Sequence, residues 1–177
     1  MKHLESLFDA WGDLQYSGEG INQREHALQT ATLAMDAGAS KELVTAALLH
    51  DIGHLLNRKG DTPSAQGIDD QHQHFAANFL KNLFPENVIG PIRLHVQAKR
   101  ALCTLNDEYF DSLSEDSKRS LVLQGGIFTD AQLNTFFELP FYEDALNLRR
   151  WDDLAKVRGQ KTPELQYFLD IARSITP

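Results

Sequence analysis

Apolar residues recur at intervals of three and four along almost the whole of this sequence, which is the spacing of an amphipathic α-helix. The first instance is the run Leu4, Leu7, Phe8 and Trp11. No stretch alternates apolar with polar residues as a half-buried strand does, and no Asn-Gly pair indicates a tight hairpin. We therefore expect an all-α fold.

Cap and breaker residues divide this pattern into separate helices. Gly38 ends one helix, Ser40 caps the next, Pro91 suits the first turn of another, and Thr162-Pro163 begins the last. Before this last helix, the predicted helices cover roughly residues 3–14, 23–37, 41–56, 70–83, 91–102, 114–123, 129–137 and 143–157. No repeat, linker or low-complexity tract interrupts them, so one domain over residues 1–177 is expected.

Composition narrows the possible classes of function. The 177 residues are 42% apolar and 24% charged, which is typical of a globular domain. No apolar run approaches the roughly 20 residues of a membrane span, and the first residues do not resemble a signal peptide. A net charge of −8 argues against nucleic-acid binding. The single cysteine, Cys103, excludes an intrachain disulfide and favours a cytoplasmic setting.

The helix predicted over residues 41–56 is apolar on nearly every side, which places it at the centre of the fold. It nevertheless contains His50, Asp51 and His54, in the motif HDIGH. Burying these groups is costly unless they have partners, and a metal ion would satisfy all of them. Hydrogen-bonded core histidines are the alternative, but adjacent histidine and aspartate in an apolar helix favour the metal.

Further potential ligands lie elsewhere along the chain, namely His26, His72, His95 and Asp152. Together with the HDIGH motif they exceed the needs of one ion and fit two ions that share a carboxylate. Nitrogen and oxygen donors without a thiolate suit iron, manganese, cobalt or zinc, and the residues alone select none of these.

Several longer stretches resemble one branch of the HD-domain superfamily, the mixed-valent di-iron oxygenases of phosphonate degradation. The stretches are YSGEGINQREHALQTA, ALLHDIGHLL, DDQHQHFAA, RLHVQAKR, SEDSKRSLVLQGG and LRRWDDLAKV. The resemblance extends from about Tyr16 to about Val157, and it implies a single HD-domain helical bundle.

The resemblance also implies a ligand set for two iron ions in a mixed-valent Fe(II)/Fe(III) pair. One ion would be held by His26, His50, Asp51 and Asp152. The other would be held by His72 and His95, with Asp51 bridging the two. His74 and Asp153 each neighbour a chosen ligand and are the alternatives to it.

The same resemblance assigns a substrate site. Lys99 lies four residues after His95 on the same helix face, and the family's lysine at this position contacts the phosphonate. The other residues matched to phosphonate contacts are Ser117, Ser120 and Arg149, while Gln124 matches without a role that we can derive.

Three further residues are matched to catalysis. The family's counterpart of Tyr16 occupies an iron position until substrate arrives, and that of Glu19 partners the tyrosine and contacts the substrate's amino group. His54 would contact the substrate or the ligands of the metal.

The resemblance thus implies an enzyme that uses O2 to cleave the C–P bond of a 1-hydroxy-2-aminoethylphosphonate, with the amine free or N-methylated. The products would be phosphate and glycine or an N-methylated glycine. A trimethylated amine would favour an aromatic cage, for which Phe75, Tyr109, Phe110 and Phe128 are candidates. A metal-dependent phosphohydrolase acting on a nucleotide or other phosphate ester is the main alternative, and a catalytically silent HD module is the second.

Overall fold

The computed structural model describes residues 1–16, 19–57 and 62–176, and in these ranges the regular structure is helical apart from one isolated bridge between Gln15 and Asn22. The helices are α1 Lys2–Trp11, α2 Gln23–Asp36, α3 Lys41–Leu49, α4 Ile52–Asn57, α5 His72–Leu80, α6 Glu86–Leu105, α7 Asp107–Ser112, α8 Glu115–Leu123, α9 Asp130–Phe137, α10 Tyr142–Leu154 and α11 Leu165–Arg173. A short 3₁₀ helix, Pro63–Gln66, lies between α4 and α5. The expected all-α fold is confirmed.

The long helix α6 is the centre of the packing, where it contacts α10, α5 and α3. Its first half joins the main apolar cluster through Val88, Ile89 and Ile92, and its second half joins a separate cluster through Ala98 and Leu102. Helix α10 also contributes to both clusters. Burial of these apolar faces fixes α6 and α10 against each other, and both helices carry predicted site residues.

The predicted central helix is interrupted at His50–Asp51, where α3 ends and α4 begins. The ring nitrogen Nδ1 of His50 lies 2.9 Å from the carbonyl oxygen of Ala47. In a continuous helix that oxygen accepts from the backbone N–H of Asp51, so the ring competes with the helix for it. The prediction of one helix over residues 41–56 was wrong at this point.

Pro91 lies inside α6 and does not begin it, because the helix starts at Glu86 with Pro85 as its N-cap. An internal proline removes one backbone hydrogen bond. Val88 and Ile89 are almost completely buried in the preceding turn, which offsets that loss. Gly90 in the same turn lies against a ring, since a Cβ there would be 2.3 Å from Cδ2 of Phe141.

Other predicted boundaries also shift. The last helix begins at Leu165 and not at Thr162-Pro163, and the helix predicted to end near Val157 ends at Leu154. Helix α7 was not predicted, because it has no buried residue and therefore no apolar period. Within residues 1–16, 19–57 and 62–176, none of the helices combines the length and apolar character that crossing a bilayer requires.

Candidate metal centre and substrate cavity

Six side chains that the sequence singled out as ligands meet in the interior of the helical bundle, and all six are buried. They come from α2, the α3–α4 junction, the start of α5, α6 and α10: His26, His50, Asp51, His72, His95 and Asp152. They form two groups in which the potential ligand atoms lie within 4.8 Å of one another. Asp51 belongs to both groups.

The first group contains His26, His50, Asp51 and Asp152. The Nε2 atoms of His26 and His50 are 3.3 Å apart. Oδ2 of Asp51 lies 3.5 Å from Nε2 of His26 and 3.3 Å from Nε2 of His50. Oδ1 of Asp152 lies 3.3 Å from Nε2 of His26. One cation placed among these atoms would meet two nitrogens and two carboxylates.

The second group contains Asp51, His72 and His95. The Nε2 atoms of His72 and His95 are 3.0 Å apart. Oδ1 of Asp51 lies 3.4 Å from the first of these nitrogens and 3.7 Å from the second. The two oxygens of one carboxylate therefore face different histidine pairs, which is the arrangement of a bridging ligand.

The outer nitrogen of each histidine faces an oxygen acceptor. Nδ1 of His26 lies 2.9 Å from the Ala155 carbonyl oxygen, and Nδ1 of His95 lies 2.7 Å from that of Ile92. His50 pairs with a carbonyl in the same way, as described above. For His72 the acceptor is Oδ1 of Asp70, at 2.9 Å. Carbonyl and carboxylate oxygens only accept, so these Nδ1 atoms carry the proton and the Nε2 atoms present lone pairs inward.

Lone pairs that face each other at 3.0 Å and 3.3 Å repel unless a cation or a proton lies between them. Imidazole nitrogens with carboxylates are also the donor set that first-row transition metals accept. The residues present therefore fit two metal ions that share Asp51.

Both aspartates of the first group are held as anions. Burial alone would raise the pKa of Asp51, but while no metal ion is bound the protonated rings of His50 and His54 lower it well below its usual value. Burial likewise raises the pKa of Asp152, but the Arg149 guanidinium together with hydrogen bonds from His26 and His50 lowers it well below its usual value. Nη1 of Arg149 lies 2.8 Å from Oδ2 of Asp152. Each carboxylate is thus ready to bind a cation.

Tyr16 covers the first group. Its ring stacks on the ring of His26, with centroids 3.8 Å apart, and its hydroxyl donates to Oδ1 of Asp152 at 3.4 Å. Burial, followed by the charge of Asp51, raises the pKa of Tyr16 well above its usual value. The Tyr16 hydroxyl therefore stays protonated while the first group holds no metal ion.

One cavity of about 50 Å³ joins the second group to the predicted substrate residues. Its walls include Asp51, His72, His95 and Asp152. They also include the predicted residues Tyr16, His54, Lys99, Ser117, Ser120, Gln124 and Arg149. Glu19 is not part of the cavity wall: it is half-buried, and its Oε1 lies 3.6 Å from Nζ of Lys156.

One wall of the cavity is built to receive an anion. Nζ of Lys99 donates to Oγ of Ser120 at 2.7 Å, and Nη2 of Arg149 donates to Oγ of Ser117 at 3.4 Å. Lys99 is almost completely buried. Burial, with the charge of Arg149 adding to it, lowers the pKa of Lys99 to about 7. Two cations and two hydroxyls on one side suit a phosphonate.

The first 122 residues contain five of the six clustered side chains, and residues 24–122 match the HD domain family. This chain belongs to the HD-domain family. The sixth clustered residue, Asp152, lies beyond the matched segment.

The HD-domain protein is similar to phosphonate dioxygenases over nearly its whole length. It is 46% identical over 170 residues to a hydroxymethylphosphonate dioxygenase of Gimesia maris, covering 94% of this chain and 85% of that protein. It is 36% identical over 168 residues to a 1-hydroxy-2-(trimethylamino)ethylphosphonate dioxygenase (glycine-betaine-forming) of Leisingera caerulea, covering 95% and 86%. An uncharacterised protein of Acanthamoeba polyphaga mimivirus is 32% identical over 169 residues, covering 94% and 77%. The predicted resemblance to this family is confirmed.

The structure places the two alternative ligands outside both groups. His74 is exposed, whereas His72 is buried. Asp153 pairs with the guanidinium of Arg149 and accepts a hydrogen bond from the hydroxyl of Tyr109. Neither His74 nor Asp153 lies in the two ligand groups.

Sequence reasoning missed Asp70, which orients two histidines of this HD-domain protein. Its Oδ1 accepts from His72, and its Oδ2 lies 2.6 Å from Nδ1 of His54. The rings of His54 and His72 stack with centroids 4.2 Å apart. Burial lowers the pKa of His54, but the charge of Asp51 and the hydrogen bond to Asp70 raise it to about 9. The available signal was an aspartate two residues before a predicted ligand.

None of the aromatic residues considered for an ammonium cage lines the cavity. Phe75 and Phe110 are exposed, and Phe128 packs in the second apolar cluster beneath the guanidinium of Arg100, 4.5 Å from its ring centroid. Tyr109 is bonded to the pair formed by Arg149 and Asp153. The described part of the cavity therefore has no such cage.

Proposed function

We propose that this HD-domain protein is a di-iron dioxygenase that uses O2 to cleave the C–P bond of a small 1-hydroxyphosphonate. The observation that carries the proposal is the bridging position of Asp51 between two histidine pairs, beside a wall of cations and hydroxyls. The sequence similarity to two named phosphonate dioxygenases supports the same reaction.

The overall reaction balances without a further reductant. The C–H and C–P bonds at C1 break and supply four electrons, which reduce O2 completely. One oxygen atom enters the new carboxylate and the other enters phosphate, and one proton is released. The carboxylate product is formate from hydroxymethylphosphonate, glycine from the 2-aminoethyl substrate and glycine betaine from its trimethylated form.

The first ion would be held by His26, His50, Asp51 and Asp152. The second would be held by His72 and His95 with the other oxygen of Asp51, which leaves positions for substrate oxygen atoms. When bound, the irons supply the activation of O2 and polarise the substrate's C1 hydroxyl. A single-metal phosphohydrolase would need the first group but would leave His72 and His95 without a purpose.

The protein's own residues orient the substrate. Lys99 and Arg149 neutralise the phosphonate charge, and Ser117 and Ser120 supply hydroxyl donors. This wall fixes the phosphorus end, so that C1 and its hydroxyl are directed to the metal pair. Tyr16 occupies the other side and limits access of water and oxygen to the first group.

The test is turnover of iron-loaded protein with hydroxymethylphosphonate, 1-hydroxy-2-aminoethylphosphonate and its trimethyl analogue, following phosphate release and O2 uptake together. We expect equal amounts of both for at least one of them. With ¹⁸O2, one labelled atom should appear in each product. Phosphate release that continues without O2, or that occurs only from nucleotides, would overturn the proposal.

A further inference from the structure

Arg149 has a partner at every nitrogen of its guanidinium group. Nη1 lies 2.8 Å from Oδ2 of Asp152, and Nη2 donates to Oγ of Ser117 at 3.4 Å and to Oδ1 of Asp153. Nε donates to Oδ2 of Asp153 at 3.1 Å and to the hydroxyl oxygen of Tyr109 at 3.2 Å. Asp153 therefore meets the guanidinium with both of its carboxylate oxygens, which is the pairing that fixes the plane of an arginine most firmly.

A tyrosine from the short helix α7 fixes the carboxylate of Asp153 in turn. The Tyr109 hydroxyl donates to Oδ2 of Asp153 and accepts from Nε of Arg149, so that three side chains close a ring of hydrogen bonds. Burial raises the pKa of Tyr109, so its hydroxyl keeps the proton that it donates. Its ring packs against the small apolar cluster that contains Leu121 of α8. The ring of hydrogen bonds thus has a fixed place between α7, α8 and α10.

This ring holds a side chain that would otherwise be free to turn. Arginine has several rotatable bonds, and fixing them when an anion binds costs conformational entropy. Arg149 lines the cavity beside Lys99 but is almost completely buried, with its guanidinium already oriented. Asp153 and Tyr109, in contrast, are not part of the described cavity wall and belong to neither ligand group. They can affect a bound anion only through Arg149.

We propose that Asp153 and Tyr109 are positioning residues, which hold the guanidinium of Arg149 in the orientation in which it binds the phosphonate. They thereby pre-organise the anion wall, the side of the cavity formed by Lys99, Ser117, Ser120 and Arg149. This inference rests on the proposed function, which places a phosphonate against that wall. The negative charge of Asp153 has an effect of the opposite sign, because it offsets part of the Arg149 charge. Position and charge therefore predict opposite results when the carboxylate is replaced.

Binding of methylphosphonate to iron-loaded protein without O2, measured by calorimetry at pH 6, separates the two effects. This pH lies below the Lys99 pKa of about 7, so the lysine carries its charge during the measurement. In Asp153→Asn the Kd should rise about tenfold, because an amide N–H replaces one of the two oxygens that Arg149 meets. Tighter binding in this variant would overturn the inference, since it would show that the charge of Asp153 dominates.

Tyr109→Phe tests the same role with no change of charge. The Kd should rise about threefold, because Asp153 loses the hydroxyl that orients it. Asp153→Glu keeps the charge and both oxygens, so it should recover part of the affinity that Asp153→Asn loses. Two controls remove the same groups from exposed positions and should leave the Kd unchanged: Glu143→Gln on α10 and Tyr167→Phe on α11.

Kinetics and metal content distinguish positioning from a general loss of structure. With a phosphonate that the wild-type protein oxidises, Asp153→Asn and Tyr109→Phe should raise KM by about the same factors as the Kd and lower kcat by less. Each variant should still load two ions per chain, because Nη1 of Arg149 continues to meet Asp152. A fall in kcat with an unchanged KM would overturn the inference.

The outcomes also separate this inference from the proposed function. If the wild-type protein oxidises no phosphonate, the function fails, while the methylphosphonate Kd still tests Asp153 and Tyr109. If it oxidises a phosphonate but neither Asp153→Asn nor Tyr109→Phe changes the Kd, the positioning role fails and the function stands. Should Asp153→Asn not fold, Tyr109→Phe decides alone. Absence of methylphosphonate binding to the wild-type protein would overturn the inference, because Arg149 would then have no anion to meet.

Discussion

At the scale of single residues, the centre depends on one carboxylate that faces both histidine pairs. Asp51 presents Oδ2 to one pair and Oδ1 to the other, so one carboxylate serves both groups. Its low pKa, set by neighbouring histidines against the effect of burial, keeps it ionised. A neutral or shortened side chain at this position removes negative charge from two sites at once.

Asp51→Ala should therefore reduce the bound iron from two ions per chain to one or fewer. Elemental analysis of protein loaded anaerobically and desalted measures this directly. Asp153→Asn is the matched control, because Asp153 pairs with Arg149 and lies outside both ligand groups. If Asp51→Ala kept two ions while Asp153→Asn lost one, the ligand assignment would be wrong.

The lysine of the anion wall predicts a pH dependence. Burial and Arg149 lower the pKa of Lys99 to about 7, so the free enzyme loses this positive charge as the pH rises through neutrality. A phosphonate dianion then binds more weakly, and kcat/KM should fall on the alkaline side with an apparent pKa near 7.

In Lys99→Arg the charge persists to high pH, so the alkaline fall should shift upward or disappear. The profile measured from pH 6 to 9 decides this. An identical alkaline limb in both proteins would assign the fall to another group, such as the substrate itself.

Local patterns were sufficient to single out His50 and Asp51 as polar groups in an apolar stretch, but not to predict the break between α3 and α4 at which they lie. The remaining ligands were matched through the family resemblance, since their spacing in the sequence is irregular. Asp70 was not predicted, because its role depends on its meeting His54 and His72 together in the folded chain.

At the scale of elements, the break between α3 and α4 sets the positions of His50 and Asp51, which lie in it. The sequence VTAALLHDIGHLL is apolar on all sides, so its periodicity continues through the break and could not reveal it. The break becomes visible only with the tertiary contacts. Gly53 in α4 lies directly against the start of α5, since a Cβ there would be 2.0 Å from the carbonyl oxygen of His72.

Gly53→Ala should force α4 and α5 apart and move His72 away from its group. We expect a loss of roughly 1–3 kcal/mol of stability, the range for overpacking a tight contact, together with incomplete loading of the second ion. Thermal unfolding and elemental analysis of the folded fraction measure the two effects.

The control is Gly90→Ala, which clashes with the ring of Phe141 away from the ligand groups. This variant should lose stability but load two ions in its folded fraction. If both variants loaded normally, the close approach at Gly53 would have no bearing on the centre.

At the scale of the whole molecule, the centre connects α2, the α3–α4 junction, α5, α6 and α10. Ions bound at such a centre stabilise the folded state only, because the unfolded chain does not bring these side chains together. The helical class was predictable from periodicity throughout. The packing of α10 against α6 was not predictable, because it depends on two apolar clusters formed by residues far apart in the sequence.

Removal of metal should lower the melting temperature of the protein. A ligand at a hundred times its Kd contributes about 2.7 kcal/mol, which corresponds to roughly 5–10 °C for a domain of this size. Differential scanning calorimetry with and without a chelator gives the shift. Asp51→Ala should show a much smaller shift, and an equal shift in both proteins would place the stabilising metal elsewhere.

The oxygen acceptors that orient the four histidines differ in whether a mutation can remove them. His26, His50 and His95 are held through main-chain carbonyls, which no substitution can remove. His72 alone is oriented by a side chain, that of Asp70. The half of the centre nearest the cavity is therefore the half that one mutation outside the candidate ligands can loosen, and it is where a descendant of this protein would most readily lose the proposed second metal ion.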